Sequence, residues 1–393
     1  MNIPRTPDGS LDPRLLGRRQ FLGRGVALGS AIALPSGLLA ACSSDKKTAG
    51  SASTTGGPGG SFKLGTWVFY IDADDANPQQ SPTIKKFTSL TGTKVDYTVD
   101  VDDNESFTAT VQPKLDKGEA TGYDLVVLTS WMTERWIRKG WAEPLNDSLL
   151  PNKKNLLARH QNPAWDPNRA HTLPFAEGQV GIAYYPKEVG FEIKDVKDLL
   201  DPRLKGKVTI LSEMRDTLGM FMLSDGLDPS KASVDDAKRS LATISKARDT
   251  GQFRKITGNS YTDDVGAKDA IAALAWSGDV VTLQKDHPDL QWVAPKVGQM
   301  SFVDTMVIPK AAVNTAQAHA WMNFLYDPAV SGPLFEAISY VSPVEGATDH
   351  MSDAAKKNPL INPSPSTKIV DFRILTQTEA DDLENAFAKA TQL

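Results

Sequence analysis

Residues 94–128 decide the fold class, because they read KVDYTV (94–99), then SFTATVQPKLDK (106–117), then DLVVL (124–128). The first and last of these runs have the composition of strands. The middle run predicts a helix that ends before Gly118, since glycine commonly follows the last turn of a helix. A strand, a helix and a second strand in this order predict α/β layers with mostly parallel strands.

The same alternation continues along the chain from Phe62 onward, without a visible internal repeat. Ser233 and Gly251 mark the two ends of one long amphipathic helix. The predicted strands are 63–68, 94–99, 124–128, 180–184, 207–211, 271–276 and 302–308. The predicted helices are 81–90, 106–117, 133–139, 216–223, 233–250, 315–326, 329–338 and 376–390, the last of them laid on the second lobe defined below.

A long stretch rich in proline and asparagine, 143–172, interrupts the alternation. We expect the chain to cross from a first lobe to a second lobe near residues 171–174 and to return after Trp276. Two crossings of this kind leave a cleft, and small ligands commonly bind in clefts between domains. The predicted domains are lobe 1, formed by 62–172 and 279–345, and lobe 2, formed by 173–278 and 346–393.

The N-terminal residues have the order of an export signal. A segment with four arginines between Arg14 and Arg24 precedes the uncharged run 26–39, which is too short to span a bilayer, and small residues follow. Arg18-Arg19-Gln20-Phe21-Leu22 resembles a twin-arginine signal, with an ordinary Sec signal as the alternative. Leu39-Ala40-Ala41-Cys42 resembles a lipobox, with a buried helix and a chance cysteine as the alternative.

These resemblances imply a signal peptide over 1–41, a mature chain that begins with lipidated Cys42, and a flexible tether over 42–61. We therefore expect the protein on the extracytoplasmic face of the cell membrane, held there by lipid. Because Cys42 is the chain's single cysteine, no thiol is left for a disulfide, a thiolate metal site or a cysteine nucleophile. About 330 residues remain after the tether, enough for two domains of ordinary size.

The charge of the chain argues against nucleic-acid partners. The formal net charge is −5, and residues 1–41 hold five arginines and two aspartates, so the mature chain has a net charge of −8. An acidic surface mildly favours cationic partners, although acidic surfaces also serve solubility.

Several co-linear motifs carry a family resemblance from about Phe62 to the C-terminus. They include Gly122-Tyr-Asp-Leu-Val-Val127, Leu173-Pro-Phe175, Trp276-Ser-Gly-Asp279, Phe302-Val-Asp304 and Asn323-Phe-Leu-Tyr-Asp-Pro328. In this order they resemble the substrate-binding lipoproteins of bacterial spermidine/putrescine ABC importers. The resemblance implies the type II periplasmic-binding-protein fold and a monomeric, non-enzymatic receptor that delivers a polyamine to a membrane permease.

A polyamine needs carboxylates for its ammonium groups and aromatic faces for its methylenes. By position, the resemblance implies that Trp276, Asp279 and Asp304 hold the amines. The full set of predicted ligand-binding residues is Trp67, Tyr70, Trp131, Asp216, Trp276, Asp279, Asp304 and Tyr340. Among these, Asp304 is unusual in an otherwise apolar run, because an unpaired carboxylate in a buried strand is costly and an ammonium ligand would remove that cost.

Other roles stay open for these residues. Asp279 can cap a helix over 280–285, and Asp216 can cap its own helix or pair with Arg215. Trp67, Tyr70 and Trp276 can be core residues. Close to Trp67 the family often has a small hydroxyl residue or an acid, where this chain has Val68 and Phe69, so selectivity among polyamines is left open. The nearby acids that can replace that contact, or form a solvated loop, are Asp72, Asp74 and Asp75.

The sequence offers little for enzyme chemistry. The nucleophile, Walker and dinucleotide motifs are absent, and none of the five histidines forms a convincing motif with another histidine or acid at metal-ligand spacing. We therefore expect no catalytic residue, no metal and no cofactor. The alternatives are the same fold with another small cationic or amino-acid-like solute, and a secreted hydrolase or lyase.

Overall fold

The computed structural model describes residues 57–364 and 367–392. The predicted signal peptide, Cys42 and the tether up to residue 56 lie outside the described residues. Among the described residues, no helix combines the length and the apolar character that crossing a membrane requires.

The secondary structure alternates as the sequence predicts. The strands are β1 Ser61–Thr66, β2 Lys94–Val99, β3 Leu125–Thr129, β4 Thr172–Tyr184, β5 Val208–Leu211, β6 Phe253–Thr257, β7 Ala272–Trp276, β8 Gln291–Val293, β9 Gln299–Val307 and β10 Ile369–Val370. The helices are α1 Pro82–Thr91, α2 Asn104–Leu115, α3 Ser130–Arg138, α4 Pro186–Val189, α5 Met214–Ser224, α6 Val234–Asp249, α7 Tyr261–Gly266, α8 Ser277–Leu283, α9 Thr315–Leu325, α10 Pro328–Ile338, α11 Asp353–Lys357 and α12 Gln377–Thr391. Short 3-10 helices fill the irregular stretch between β3 and β4.

The strands follow the order β2-β1-β3-β9-β4-β7-β5-β6, with β10 beside β9 and β8 beside β4. In one lobe β1 pairs in parallel with β2 and β3, and in the other β5 pairs in parallel with β6 and β7. The two long strands β4 and β9 are antiparallel to each other and join these groups. The predicted α/β fold, with two lobes and two crossings, is confirmed.

The two crossings lie in β4 and β9. Thr172–Val180 of β4 pairs with β9, whereas Val180–Tyr184 pairs with β7 of the second lobe. β4 thus begins where the first crossing was predicted. β8 pairs with the same far end of β4, and this register favours a return crossing within β9 rather than directly after Trp276. The predicted residue boundaries of the lobes stay a prediction.

Local signals set several helix ends. The Ser81 side chain accepts a hydrogen bond from the amide of Ile84 at the start of α1, and Gly92 ends that helix in the left-handed region. Ser233 and Asp236 form a capping box at the start of α6. α12 packs on α6, as predicted for the C-terminal helix.

The predicted tether is too long at its C-terminal end. Ser61 is already the first residue of β1 and lies opposite Lys94 of β2. The amide of Gly59 also donates to the carbonyl of Thr91, 3.3 Å away. Backbone pairing with β2 and with the end of α1 therefore orders this segment, although its composition is that of a linker.

Candidate functional site

A small cavity lies at the carboxyl ends of strands from both lobes, where ligands bind in open α/β sheets. It is lined by Trp67, Tyr70, Thr129, Glu213, Asp216, Asn259, Trp276, Phe302, Asp304 and Tyr340. Six of the eight predicted site residues are in this set. The strand ends position them, because β1, β3, β5, β6 and β7 each end at or just before a lining residue.

Asp304 projects from β9 into the cavity and is 3% exposed. The hydroxyl of Thr129 donates to its Oδ1 over 2.8 Å, and the hydroxyl of Tyr70 donates to its Oδ2. Burial raises the pKa of Asp304 to about 6. The carboxylate is thus held in place by two neutral donors while its charge remains uncompensated.

Asp279 lies behind the cavity rather than in its wall. Its carboxylate accepts hydrogen bonds from the hydroxyl of Tyr340 at 2.7 Å, the hydroxyl of Tyr261 at 2.9 Å and the amide of Asn259 at 3.1 Å. Burial raises its pKa to about 6. The alternative that Asp279 caps a helix beginning at residue 280 is wrong, because α8 begins at Ser277 and includes Asp279.

The glycine between Trp276 and Asp279 has a steric role in this arrangement. A Cβ atom on Gly278 would lie 2.2 Å from ring carbon Cε2 of Tyr340. Only glycine therefore allows the Tyr340 ring to pack here and to reach the Asp279 carboxylate.

Asp216 and Trp276 form a pair across two elements of the second lobe. The indole Nε1 of Trp276 donates to Oδ2 of Asp216 over 2.7 Å. Burial raises the pKa of Asp216 to about 7, while the hydrogen bond from Trp276 and the nearby Arg215 lower it by smaller amounts. Trp67 meets the Trp276 ring edge-on, with 6.4 Å between ring centroids.

Glu213 is a lining residue that the sequence analysis missed. It lies two residues after β5, so a carboxylate just past a strand's carboxyl end is the signal that would have found it. Its Oε1 accepts from the backbone amide of Asn104 at 3.0 Å and from the side-chain amide of Asn104 at 2.8 Å. Burial, followed by the charges of Asp103 and Asp216, raises its pKa well above the usual value.

The electrostatic balance of this cavity is negative. Three carboxyl groups line it, a fourth lies directly behind it, and among its described lining residues none is basic. Like charges and burial both disfavour ionisation, which accounts for the raised pKa values. A cation in the cavity would supply the missing counter-charge. In contrast, the described residues contain no cluster of three or more histidine, cysteine or acidic residues arranged to hold a metal ion.

Aromatic rings form the rest of the wall. Tyr70 stacks on Phe175 with 5.2 Å between centroids and meets Tyr340 edge-on at 5.1 Å. Phe302 meets Trp276 at 6.3 Å. Trp67, Tyr70 and Trp276 are all buried, so they are core residues and cavity wall at once. Ring faces beside carboxylates are suited to an organic cation with an apolar stem.

Comparison with known proteins places this architecture in a family. Residues 83–363 match the family described as bacterial extracellular solute-binding protein. The chain belongs to this family. It is 29% identical to the putrescine-binding periplasmic protein SpuD of Pseudomonas aeruginosa, over 76% of this chain and 82% of that protein. It is 28% identical to the putrescine-binding periplasmic protein PotF of Escherichia coli, over 79% and 85% of the two chains.

A solved structure of similar fold is that of a putative spermidine/putrescine ABC transporter from Listeria monocytogenes. Its TM-score is 0.73 at 22% identity, with 84% of this chain and 98% of the other covered. These relatives are named as solute-binding or transport proteins. The family is extracellular, which agrees with the predicted extracytoplasmic location. The lipid anchor stays a prediction.

Trp131 is not brought to the cavity of this solute-binding protein. It lies in the first turn of α3 and lines a larger, neighbouring groove. The guanidinium carbon of Arg215 lies 3.9 Å from its ring centroid and that of Arg135 lies 5.2 Å away. Two cations therefore cover the indole, and the predicted contact of Trp131 with the ligand stays a prediction.

The acidic loop after Tyr70 serves its own backbone. Asp72 accepts from the amide of Thr83 at 3.1 Å and from its hydroxyl at 2.7 Å, at the start of α1. Asp74 accepts from the amide of Ala76 and Asp75 from that of Phe69, both at 2.8 Å. The three acids do not line the cavity.

Proposed function

We propose that this chain is the extracytoplasmic receptor of an ABC importer, binding a polyamine between its lobes and delivering it to a membrane permease. The observation that carries the proposal is the cavity itself. Its lining combines three carboxyl groups, five aromatic rings and no basic side chain among the described residues. Few solutes other than di- and triamines match that mixture.

The chemistry of such a ligand fits each part of the wall. Its amines are charged at pH 7, as a lysine amine is, and would pair with the acids on both lobes. Its methylenes would lie on Trp276, Phe302 and Tyr340. Closing both lobes over the ligand removes water, which strengthens each charge-assisted hydrogen bond.

Two relatives named as putrescine-binding proteins support this choice of ligand class. An amino-acid-like solute is disfavoured, because its carboxylate would lie beside Glu213, Asp216 and Asp304 with no basic partner in the wall. A secreted hydrolase or lyase is disfavoured as well, since the relatives are binding proteins and the acids of the site are bonded to neutral donors. We expect a monomer that needs no cofactor.

A ligand panel tests the proposal. The soluble chain from Ser43 onward should show a raised melting temperature with putrescine, spermidine, spermine or agmatine, and no shift with amino acids or Fe³⁺. At a ligand concentration of about 100 times Kd, binding stabilises the folded state by about 2.7 kcal/mol, a shift of several degrees. A shift with an amino acid and none with any polyamine would contradict the proposed ligand class.

The lipid anchor is the second part of the proposal, and it rests on Leu39-Ala40-Ala41-Cys42. Cys42→Ala should leave the exported chain without lipid, and fractionation should find it released from the membrane. Arg18→Lys with Arg19→Lys should block export if the route is twin-arginine. Membrane retention of the Cys42→Ala chain equal to that of the wild type would refute the lipobox.

A further inference from the structure

Three consecutive residues of lobe 1, Asp102, Asp103 and Asn104, contact lobe 2 beside the cavity. They comprise the last two residues before α2 and the first residue of that helix, and will be called the closing segment. Asp103 caps α2 with its Oδ1, and the hydroxyl of Ser212 in lobe 2 donates to its Oδ2 over 2.8 Å. The other two residues also contact lobe 2.

Asp102 packs against the short segment of lobe 2 that connects β6 to α7. The amide of Ser260 donates to its Oδ1 over 3.2 Å, and the amide of Asn259 approaches its carbonyl oxygen at 3.4 Å. A Cβ atom on Gly258 would lie 2.0 Å from that carbonyl oxygen. The two lobes can therefore approach this closely only because residue 258 has no side chain.

Asn104 links an acid of lobe 2 to an acid of lobe 1. Its side-chain amide donates to Glu213 over 2.8 Å and to the hydroxyl of Thr129 over 2.9 Å, and its Oδ1 accepts from the Thr129 amide at 3.0 Å. Thr129 in turn donates to Asp304. Glu213, Asn104, Thr129 and Asp304 thus form one hydrogen-bonded chain along the cavity wall, and Asn104 is fully buried within it.

We propose that Asn104 is a positioning residue that couples lobe closure to the placement of the ligand-facing acids, and that the Gly258–Asp102 contact permits that closure. The inference rests on the proposed function for the identity of the ligand. Asn104 and Glu213 belong to different lobes, so parting the lobes would break their hydrogen bonds, and these bonds would add to the stability of the closed form that the ligand selects. They also leave the buried Glu213 carboxyl with donors, which removes part of the cost of closing around it.

Gly258→Ala tests the contact without altering any group that faces the cavity. The φ angle of Gly258 is not in the positive region, so alanine is compatible with the backbone, and the clash arises only against Asp102 of the other lobe. We expect putrescine affinity to fall by about tenfold or more. We also expect the decrease in radius of gyration on ligand addition, measured by small-angle scattering, to be lost.

Gly266→Ala is the matched control. Gly266 lies in the adjacent helix α7, and a Cβ there would meet its nearest neighbour, Nε2 of His287, at an ordinary 3.6 Å. Its affinity and its compaction should equal those of the wild type. A Gly258→Ala chain that binds and compacts like Gly266→Ala would overturn the proposed contact.

Asn104→Ala tests the positioning role, and it also tests the proposal if Gly258→Ala fails to fold. Affinity should fall by about tenfold, with compaction reduced at subsaturating ligand, while Thr110→Ala, an exposed substitution on the same helix α2, should change neither. Unchanged affinity in Asn104→Ala would refute the positioning role. A wild-type chain that binds no polyamine would instead refute the proposed function. The wild type therefore tests the ligand class, and the variants test the positioning role.

Discussion

Asp304→Asn is expected to weaken polyamine binding by about tenfold to a hundredfold. A hydrogen bond to a charged group contributes about 1.5–3 kcal/mol, and the substitution removes the charge that pairs with an ammonium group. Oδ1 and Oδ2 of Asp304 each accept a hydrogen bond from one hydroxyl. Asparagine has a single acceptor oxygen at this place, so it can accept only one of these two bonds. Isothermal titration calorimetry with putrescine and spermidine measures the change.

The melting temperature without ligand separates this role from a structural one. Because burial raises the pKa of Asp304 to about 6, its charge destabilises the ligand-free chain at pH 8, and a neutral asparagine should leave the melting temperature unchanged or higher. Asp382→Asn is the control and should leave affinity unchanged, because Asp382 is an exposed residue of α12 that pairs with Lys238. Wild-type affinity in Asp304→Asn would show that the acid does not face the ligand.

Polyamine affinity is expected to fall by about tenfold or more between pH 8 and pH 5, because each acid that must lose a proton on binding contributes up to one logarithmic unit per pH unit below its pKa. The acids concerned are Asp216, whose pKa is about 7, and Asp279 and Asp304, whose pKa values are about 6. The ligand's amines stay charged throughout this range. Calorimetry in two buffers of different ionisation enthalpy should detect proton release near pH 6.

The stability of the ligand-free chain should change in the opposite sense. The three pKa values lie above those of unfolded aspartates, so the folded state binds more protons, and the stability that these groups contribute is lost as pH rises through 6 to 7. The ligand-induced rise in melting temperature should therefore be larger at pH 8 than at pH 5.5. A rise that is equal at both pH values, or larger at pH 5.5, would mean that these acids do not titrate on binding.

The sequence predicted the elements that have strong local signals. Helices α1 and α6 begin at their serine caps, and β2 has the predicted bounds, since apolar periodicity and capping are local properties. β6 and α7 were missed. β6 is an edge strand that contains Arg254 and Lys255, and α7 has only six residues, so neither carries a clear pattern.

The absence of β6 and α7 from the predicted elements explains why two partners of Asp279 were not predicted. Asn259 and Tyr261, which hold Asp279, follow β6 directly, so their approach to the cavity depends on a strand that the sequence did not reveal. Thr129 and Glu213 also reach the cavity through strand ends that meet only in the folded sheet. The family motifs located Trp276 and Asp304 because those residues lie within the motifs themselves.

Asp279 and Trp131 show how far a residue's role can be inferred from its place in a family motif. Asp279 was expected to hold an amine, and in the structure its carboxylate is engaged by three donors, one of them the wall residue Tyr340. Trp131 was expected at the cavity and is covered by Arg215 in the neighbouring groove. Alignment gives a residue's place in the chain, whereas side-chain partners from distant segments determine where its functional group points.

A crystal structure of the soluble chain grown with saturating putrescine at pH 8 would show directly whether a polyamine binds between the lobes at Asp304. We expect one putrescine molecule between the lobes, with an ammonium nitrogen within hydrogen-bond distance, about 2.7–3.2 Å, of Asp304 and its methylenes against Trp276. Putrescine bound outside this cavity, or an empty cavity with closed lobes under saturating ligand, would contradict it.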